Sequence, residues 1–380
     1  MIKPEKEFAC LLWGGYAKGN TGDELCLAAA LDRKQREFDG RVAILSPLPG
    51  YTAQLFPQAT VISCLPPDPK WFRLRKRFFR ASRSLTTATG LAYFMQNGRC
   101  DPGLEWMRTL ACARQLYLVG GAYLTDLFPL DLALPPIQFA LQRKIPVATA
   151  PIGIGPFEFP LNADKIAALL RPIKLTVRDQ TSLEFCRARG IHPLLAPDDA
   201  FALVKDLVPP MPAKPAGPRR QRIGVCIFTQ YGQDAKVDLT GWWTEILRGL
   251  KAQHPECEIE GFCFHTSLQA EFQEMTRLFP RAGLPVEHVQ APVMDFREAV
   301  GRVRGYDLVI STRFHATVTA NAFNIPNVAI AAGNYYQSKM SAARLGFESI
   351  SQLVNPAGQP PQDLLDICKR KLAGCESGQP

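Results

Sequence analysis

The chain has 380 residues, 47% of them apolar, and a formal net charge of +9. That length exceeds one ordinary domain and suits two, and the apolar share is enough for packed cores. No run approaches the roughly 18 apolar residues needed to span a bilayer, and no nucleic-acid-binding module accompanies the charge, so the basic balance points to an anionic substrate or a membrane surface.

The N-terminal stretch lacks a secretory layout, and its short apolar run Phe8 to Trp13 reads as a first, buried strand. A glycine-rich turn, Gly14 to Glu24, follows and opens a helix from about Gly22 to Arg36. Its glycine spacing is not that of a dinucleotide fingerprint, and Asn20 stands where a P-loop would carry lysine. On its residues alone this is a tight strand-to-helix turn, with Asp23 and Glu24 near a helix start. Short strands are expected at Arg41–Leu45 and Thr60–Cys64. Trp71 to Leu85 then alternates aromatics with six basic residues; it reads equally as a membrane-surface helix or as a surface helix packing its aromatics on the first domain.

Leu116–Val119 leads into Gly120-Gly121, and Asp126 downstream either accepts a bond from a sugar hydroxyl or caps a turn. Val147–Ala150 is a strand ahead of a Pro-Gly turn ending at Pro156, and Leu175–Val177 is a strand closed by Arg178-Asp179. Arg178 at a strand's carboxyl end is placed for a ligand, although a local pair with Asp179 is equally economical. Asp198-Asp199 after Pro197 reads as paired acids or as turn chemistry.

Five prolines between Val208 and Arg222 forbid regular structure and mark a linker. The expected division is therefore an N-terminal domain over 1–207, a linker over 208–222 and a C-terminal domain over 223–380, whose last helix is a candidate to pack back on the first. The second half repeats the strand–helix alternation. Strands are expected at Ile223–Phe228, Ile259–Phe264, Leu308–Ile310 and Val328–Ala331, and helices near Gly241–Gln253, Leu268–Phe279 and Phe296–Val303. The expected fold class is α/β, two Rossmann-like parallel-sheet domains facing across a cleft.

The segment Asp307 to Ala329 carries the most chemistry. An apolar strand ends at Ser311-Thr312, and a helix begins at Arg313-Phe314-His315. A helix N-terminus offers N–H groups without intrahelical partners and a positive dipole end. Arg313 adds a permanent forked cation and His315 a group that titrates near neutrality, so anion binding and proton transfer meet at one point. The eleven cysteines include no Cys-x-x-Cys, and no Cys or His pair is read as having zinc-ligand spacing; reduced thiols, a cytoplasmic location and no metal are expected.

Taken in order, Gly15-Tyr16, Gly19-Asn20 and Gly22-Asp23-Glu24, then Gly120-Gly121 with Asp126, Val177-Arg178-Asp179 with Pro197-Asp198, Ser311 to Ala316, and Tyr336 to Lys339 with Leu345-Gly346 resemble the polysaccharide pyruvyl transferase family. The resemblance implies a GT-B-like fold and transfer of a pyruvyl group from phosphoenolpyruvate (PEP) to two hydroxyls of one sugar of a polysaccharide or lipid-linked saccharide, with no cofactor. It implies that His315 is the catalytic histidine and that Arg313, Arg178 and Lys339 hold PEP. Asn20, Asp23 and Asp126 are the candidate acceptor contacts. Ala122 departs from the family pattern, where many members carry a third glycine, and residues 65–115 and the tail after Phe347 match no motif. With such an acceptor, Trp71–Leu85 would hold the protein at the inner leaflet of the plasma membrane. Two other readings stay open: a GT-B glycosyltransferase using a nucleotide sugar, and a non-catalytic relative binding glycans or membrane surfaces.

Overall fold

The computed structural model describes residues 8–64, 105–127, 130–207, 220–229, 237–265 and 270–376. The basic stretch Trp71–Leu85 and residues 208–219 of the proline-rich stretch lie outside the described residues. The chain forms two compact units. One comprises Met1–Lys18 and Cys26–Asp199, the other Gly19–Leu25 and Ala200–Pro380. This division differs from a cut at the proline-rich stretch in two places. Ala200 and Val204 are fully buried, and the Phe201 ring lies 4.8 Å from that of Phe347, so the Asp199–Leu207 helix goes almost wholly with the second unit. The turn at Gly19–Leu25 does so too.

The first unit holds β1 (Cys10–Trp13), β2 (Val42–Ser46), β3 (Thr60–Ser63), β4 (Gln115–Leu118), β5 (Gly121–Leu124), β6 (Val147–Ile154), β7 (Lys174–Val177) and β8 (Leu194–Leu195). They form one sheet in the order β3-β2-β1-β4-β6-β7-β8, with β5 also paired to β6. Every residue of β1, β2 and β6 is buried. A parallel sheet covered on both faces selects such continuous apolar runs rather than alternation. β6 runs past its expected end at Ala150 to Ile154. The register with β7 shifts between Ala148 and Pro151, and that irregularity lets a strand accept a proline.

The second unit holds β9 (Arg222–Cys226), β10 (Glu258–Gly261), β11 (Leu308–Ser311), β12 (Asn327–Ile330) and β13 (Ser351–Val354), all parallel, in the order β10-β9-β11-β12-β13. Its core joins Ile223, Val225, Leu308, Ile310 and Val328 of the sheet to Trp243, Ile246 and Leu278 of the helices. β13 and the final helix, Pro361–Glu376, lie in the tail where no motif was recognised. That helix, a candidate to pack back on the first domain, packs within the second unit. Leu365 meets Gly249 of the Leu239–Gln253 helix, and Trp242 Nε1 donates to Gln359 O at 3.1 Å. The chain leaves β9 for β10 on one side of the sheet and returns to β11 on the other. Parallel sheets bind ligands at the carboxyl ends of the strands flanking such a reversal.

Candidate active site

At that reversal, Cys226 at the end of β9 and Ser311-Thr312 at the end of β11 are tied together. Thr312 N donates to Cys226 O at 3.0 Å, and Thr312 Oγ1 accepts from Phe228 N at 2.9 Å. Arg313 keeps an extended backbone, and Ser311 Oγ accepts its N–H at 2.8 Å. The Phe314–Ala322 helix starts immediately after, with every residue buried. The expected strand-to-helix junction therefore forms, and it puts Arg313 just before the first turn and His315 within it.

A cavity of about 410 Å³, open to solvent, lies against this junction; Asn20, Thr312, Arg313, His315, Tyr336 and Lys339 are among its lining residues. Arg313 is buried, with its Cζ 4.3 Å from the centre of the Phe228 ring and its Nε bonded to Glu271 Oε1. Lys339 comes from the Asn334–Arg344 helix, and its Nζ lies 5.6 Å from the Phe314 ring centre. The His315 ring meets Phe314 edge-on at 4.9 Å. Two cations, a histidine and a helix N-terminus thus share one cavity, a set that can bind a small dianion and move a proton beside it.

The glycine-rich turn completes this unit. Asn20 Oδ1 accepts from Gly22 N at 3.2 Å, and its Nδ2 donates to Asp23 Oδ2 at 2.8 Å. Thr21 N donates to Phe264 O at 3.1 Å, and Asn20 pairs with His265 in an antiparallel bridge. A Cβ on Gly22 would fall 1.7 Å from His315 Nδ1. Of the expected acceptor contacts, Asn20 therefore lines the cavity with Arg313 and His315, and Asp23 is bonded to Asn20.

The other two expected site residues belong to the first unit. Asp126 is buried, and its carboxylate accepts from Glu158 N at 2.8 Å, Phe159 N at 3.0 Å and Asn162 Nδ2 at 3.1 Å. Its carboxylate is thus tied to the turn that leads into the Pro160–Leu170 helix. Arg178 is buried, and its Nη1 donates to Asp198 Oδ2 at 2.5 Å. Burial is the largest single influence and opposes its charge, but Asp198, Cys26 and Asp179 together raise its pKa. Its neighbour Asp179 instead caps the Gln180–Arg187 helix by accepting from Ser182 N. Asp199 pairs with Arg33 at 2.6 Å, so Asp198 and Asp199 each take an arginine.

Glu271, Phe264 and His265 were not expected here. Glu271 is fully buried in the first turn of the Ala270–Arg281 helix. Its position in line with Met275 and Leu278 on the buried stripe is the sequence signal, since a carboxylate on an apolar helix face needs a buried partner. Burial, and then the charge of Arg313, push the His265 pKa down to about 4, so its imidazole is neutral at physiological pH. The expectation that no Cys or His pair has ligand spacing also needs correction. A turn in which Cys257 N donates to His254 O gathers ligand atoms of His254, Glu256 and Cys257 within 4.8 Å of one another.

The fold is that of a GT-B-like α/β protein, and its second unit carries a cavity lined by Arg313, His315 and Lys339. The chain belongs to the polysaccharide pyruvyl transferase family, whose model matches residues 20–334. No curated protein matches it significantly. Among solved structures it is similar to UDP-GlcNAc 2-epimerase from Neisseria meningitidis bound to UDP-GlcNAc, at 10% identity and a TM-score of 0.56, over 97% of this chain and 92% of that one. It is similar also to Anabaena HepE in complex with UDP-glucose, at 14% identity and a TM-score of 0.56, over 97% and 92% of the two chains. At such identities these likenesses describe the fold alone. Among the described residues, no helix is long and apolar enough to cross a membrane.

Proposed function

We propose that the protein transfers the pyruvyl group of PEP to two hydroxyls of one sugar in a polysaccharide or lipid-linked saccharide, forming a cyclic ketal and releasing phosphate. The observation that carries this reading is the gathering of Arg313, His315 and Lys339 on one cavity of a chain from this family. Arg313, Lys339 and the start of the Phe314–Ala322 helix hold the phosphate and carboxylate of PEP. Asn20, with Asp23 bonded to it, faces the acceptor hydroxyls.

In the reaction a proton is added to the methylene carbon of PEP, turning it into a methyl group and making the central carbon electrophilic. One sugar hydroxyl attacks that carbon and loses its proton to His315. The carbon–oxygen bond to phosphate breaks, and the second hydroxyl closes the ketal. The hydroxyls release two protons: one replaces the proton taken up by the methyl carbon, and the other leaves with phosphate. A histidine cycling between acid and base serves these transfers, each worth about 10²–10⁴-fold.

The test is PEP-dependent phosphate release across a panel of lipid-linked saccharides. His315→Ala is expected to keep the fold by circular dichroism and lose at least about 10²-fold in turnover; a full rate in that variant would overturn the assignment. Arg313→Lys is expected to weaken PEP binding in calorimetry, since one ammonium does not reproduce the fork. Tight binding of UDP-sugars with none of PEP would replace this reading by that of a glycosyltransferase. The protein is assigned to the cytoplasmic face of the membrane, held by Trp71–Leu85. Co-sedimentation with anionic vesicles at low salt tests this, and absence from the pellet would remove it.

A further inference from the structure

The guanidinium in the cavity is not held by its own segment. Arg313 precedes its helix without a side-chain cap, and its guanidinium is fixed from two other elements. Phe228, just after β9, lies against its face at 4.3 Å, and Glu271 takes the edge at Nε through Oε1. The second oxygen of Glu271 is also committed: Oε2 accepts from Phe264 N at 2.6 Å and His265 N at 3.1 Å. Those two residues in turn hold the glycine-rich turn. Phe264 O accepts Thr21 N, and His265 bridges to Asn20. Gly22 of that turn packs on the His315 ring.

From these contacts we infer that Glu271 is a positioning residue of the active site. One carboxylate oxygen sets the plane of the Arg313 guanidinium, and the other fixes the segment against which Asn20, Gly22 and so His315 are seated. A carboxylate costs several kcal/mol to bury unless every lone pair finds a donor, and here the donors are parts of the site rather than of a distant core. A fully buried acid beside a substrate-binding cation lowers the local positive charge, so its contribution is orientation: a guanidinium locked in one plane loses less freedom when it meets a dianion. The inference rests on the proposed function only for its choice of PEP as the ligand.

Glu271→Gln separates the two oxygens. The amide oxygen still accepts from Phe264 N and His265 N, while the amide NH₂ now faces the Nε–H of Arg313, donor against donor. Calorimetry with the full chain is expected to show PEP binding about 10- to 100-fold weaker than wild type, with little change in melting temperature. In an Arg313→Ala background the same Glu271→Gln change is expected to add nothing, because its effect runs through that arginine. Unchanged PEP affinity in the single variant overturns the inference. So does an equal loss with and without Arg313, which would make Glu271 a structural acid only. Should the glutamine variant not fold, Glu271→Asp, which keeps the charge but draws the carboxylate back, carries the same cycle. If wild type binds no PEP, the proposed function falls on its own. A crystal structure of Glu271→Gln would still decide for or against Glu271, according to whether Arg313 has turned away or stayed.

Discussion

A single methyl group tests the seat of His315. Gly19 occupies the left-handed region, with φ 74°, where glycine is favoured for its backbone. Gly22, three residues on, has no such need; its constraint is space, because a Cβ would stand 1.7 Å from His315 Nδ1 and 2.2 Å from Cγ. Gly22→Ala also adds a better helix former in the first turn of the Thr21–Glu37 helix. We therefore expect the variant to fold and to lose about 10²-fold in kcat as the imidazole is displaced. Steady-state kinetics beside a far-ultraviolet spectrum checks this, and unchanged kcat would contradict the packing described. Arg313 and His315 could be read from the sequence because both sit where a buried strand meets a helix. The function of Gly22 could not, since it exists only once a residue far along the chain lies against it. Nor does the sequence show that Asp126 meets the N–H groups of Glu158 and Phe159, more than thirty residues further along the chain.

At the scale of elements, the runs of buried apolar residues gave away most strands, with ends wrong by a few positions. β6 was cut short because proline normally ends a strand, whereas here a register shift absorbs Pro151. β13 is not among the expected strands, and the last helix, Pro361–Glu376, is expected only without bounds, since the tail matches no motif. The contact between that helix and Leu239–Gln253 depends on Gly249, where a Cβ would come within 2.3 Å of Leu365 Cδ1. Gly249→Ala should overpack this helix pair and destabilise the protein by about 1–3 kcal/mol. A thermal melt is expected to show the loss, with PEP affinity by calorimetry unchanged. A parallel fall in affinity would mean that the helix pair supports the cavity.

For the molecule as a whole, acid stability carries the mark of His265. Its pKa is lowered from 6.5 to about 4, first by burial and then by Arg313. The unfolded chain thus binds the proton more readily between those values, and stability falls as pH drops from about 6.5 to about 4, by roughly 3 kcal/mol at the lower end. Melts of wild type and His265→Gln across that range should diverge, the variant losing less; identical slopes would remove His265 as the cause. The seating of residues 19–25 in the second unit has a consequence for inheritance. A continuous stretch of gene encoding residues 200–380 carries Arg313, His315, Glu271 and Lys339, but not the short turn that packs on the histidine. An exchange of C-terminal halves between relatives would join each histidine to a foreign turn. Segments 19–25 and 200–380 are therefore expected to move and diverge as one unit of descent, although the rest of the first unit separates them in the chain.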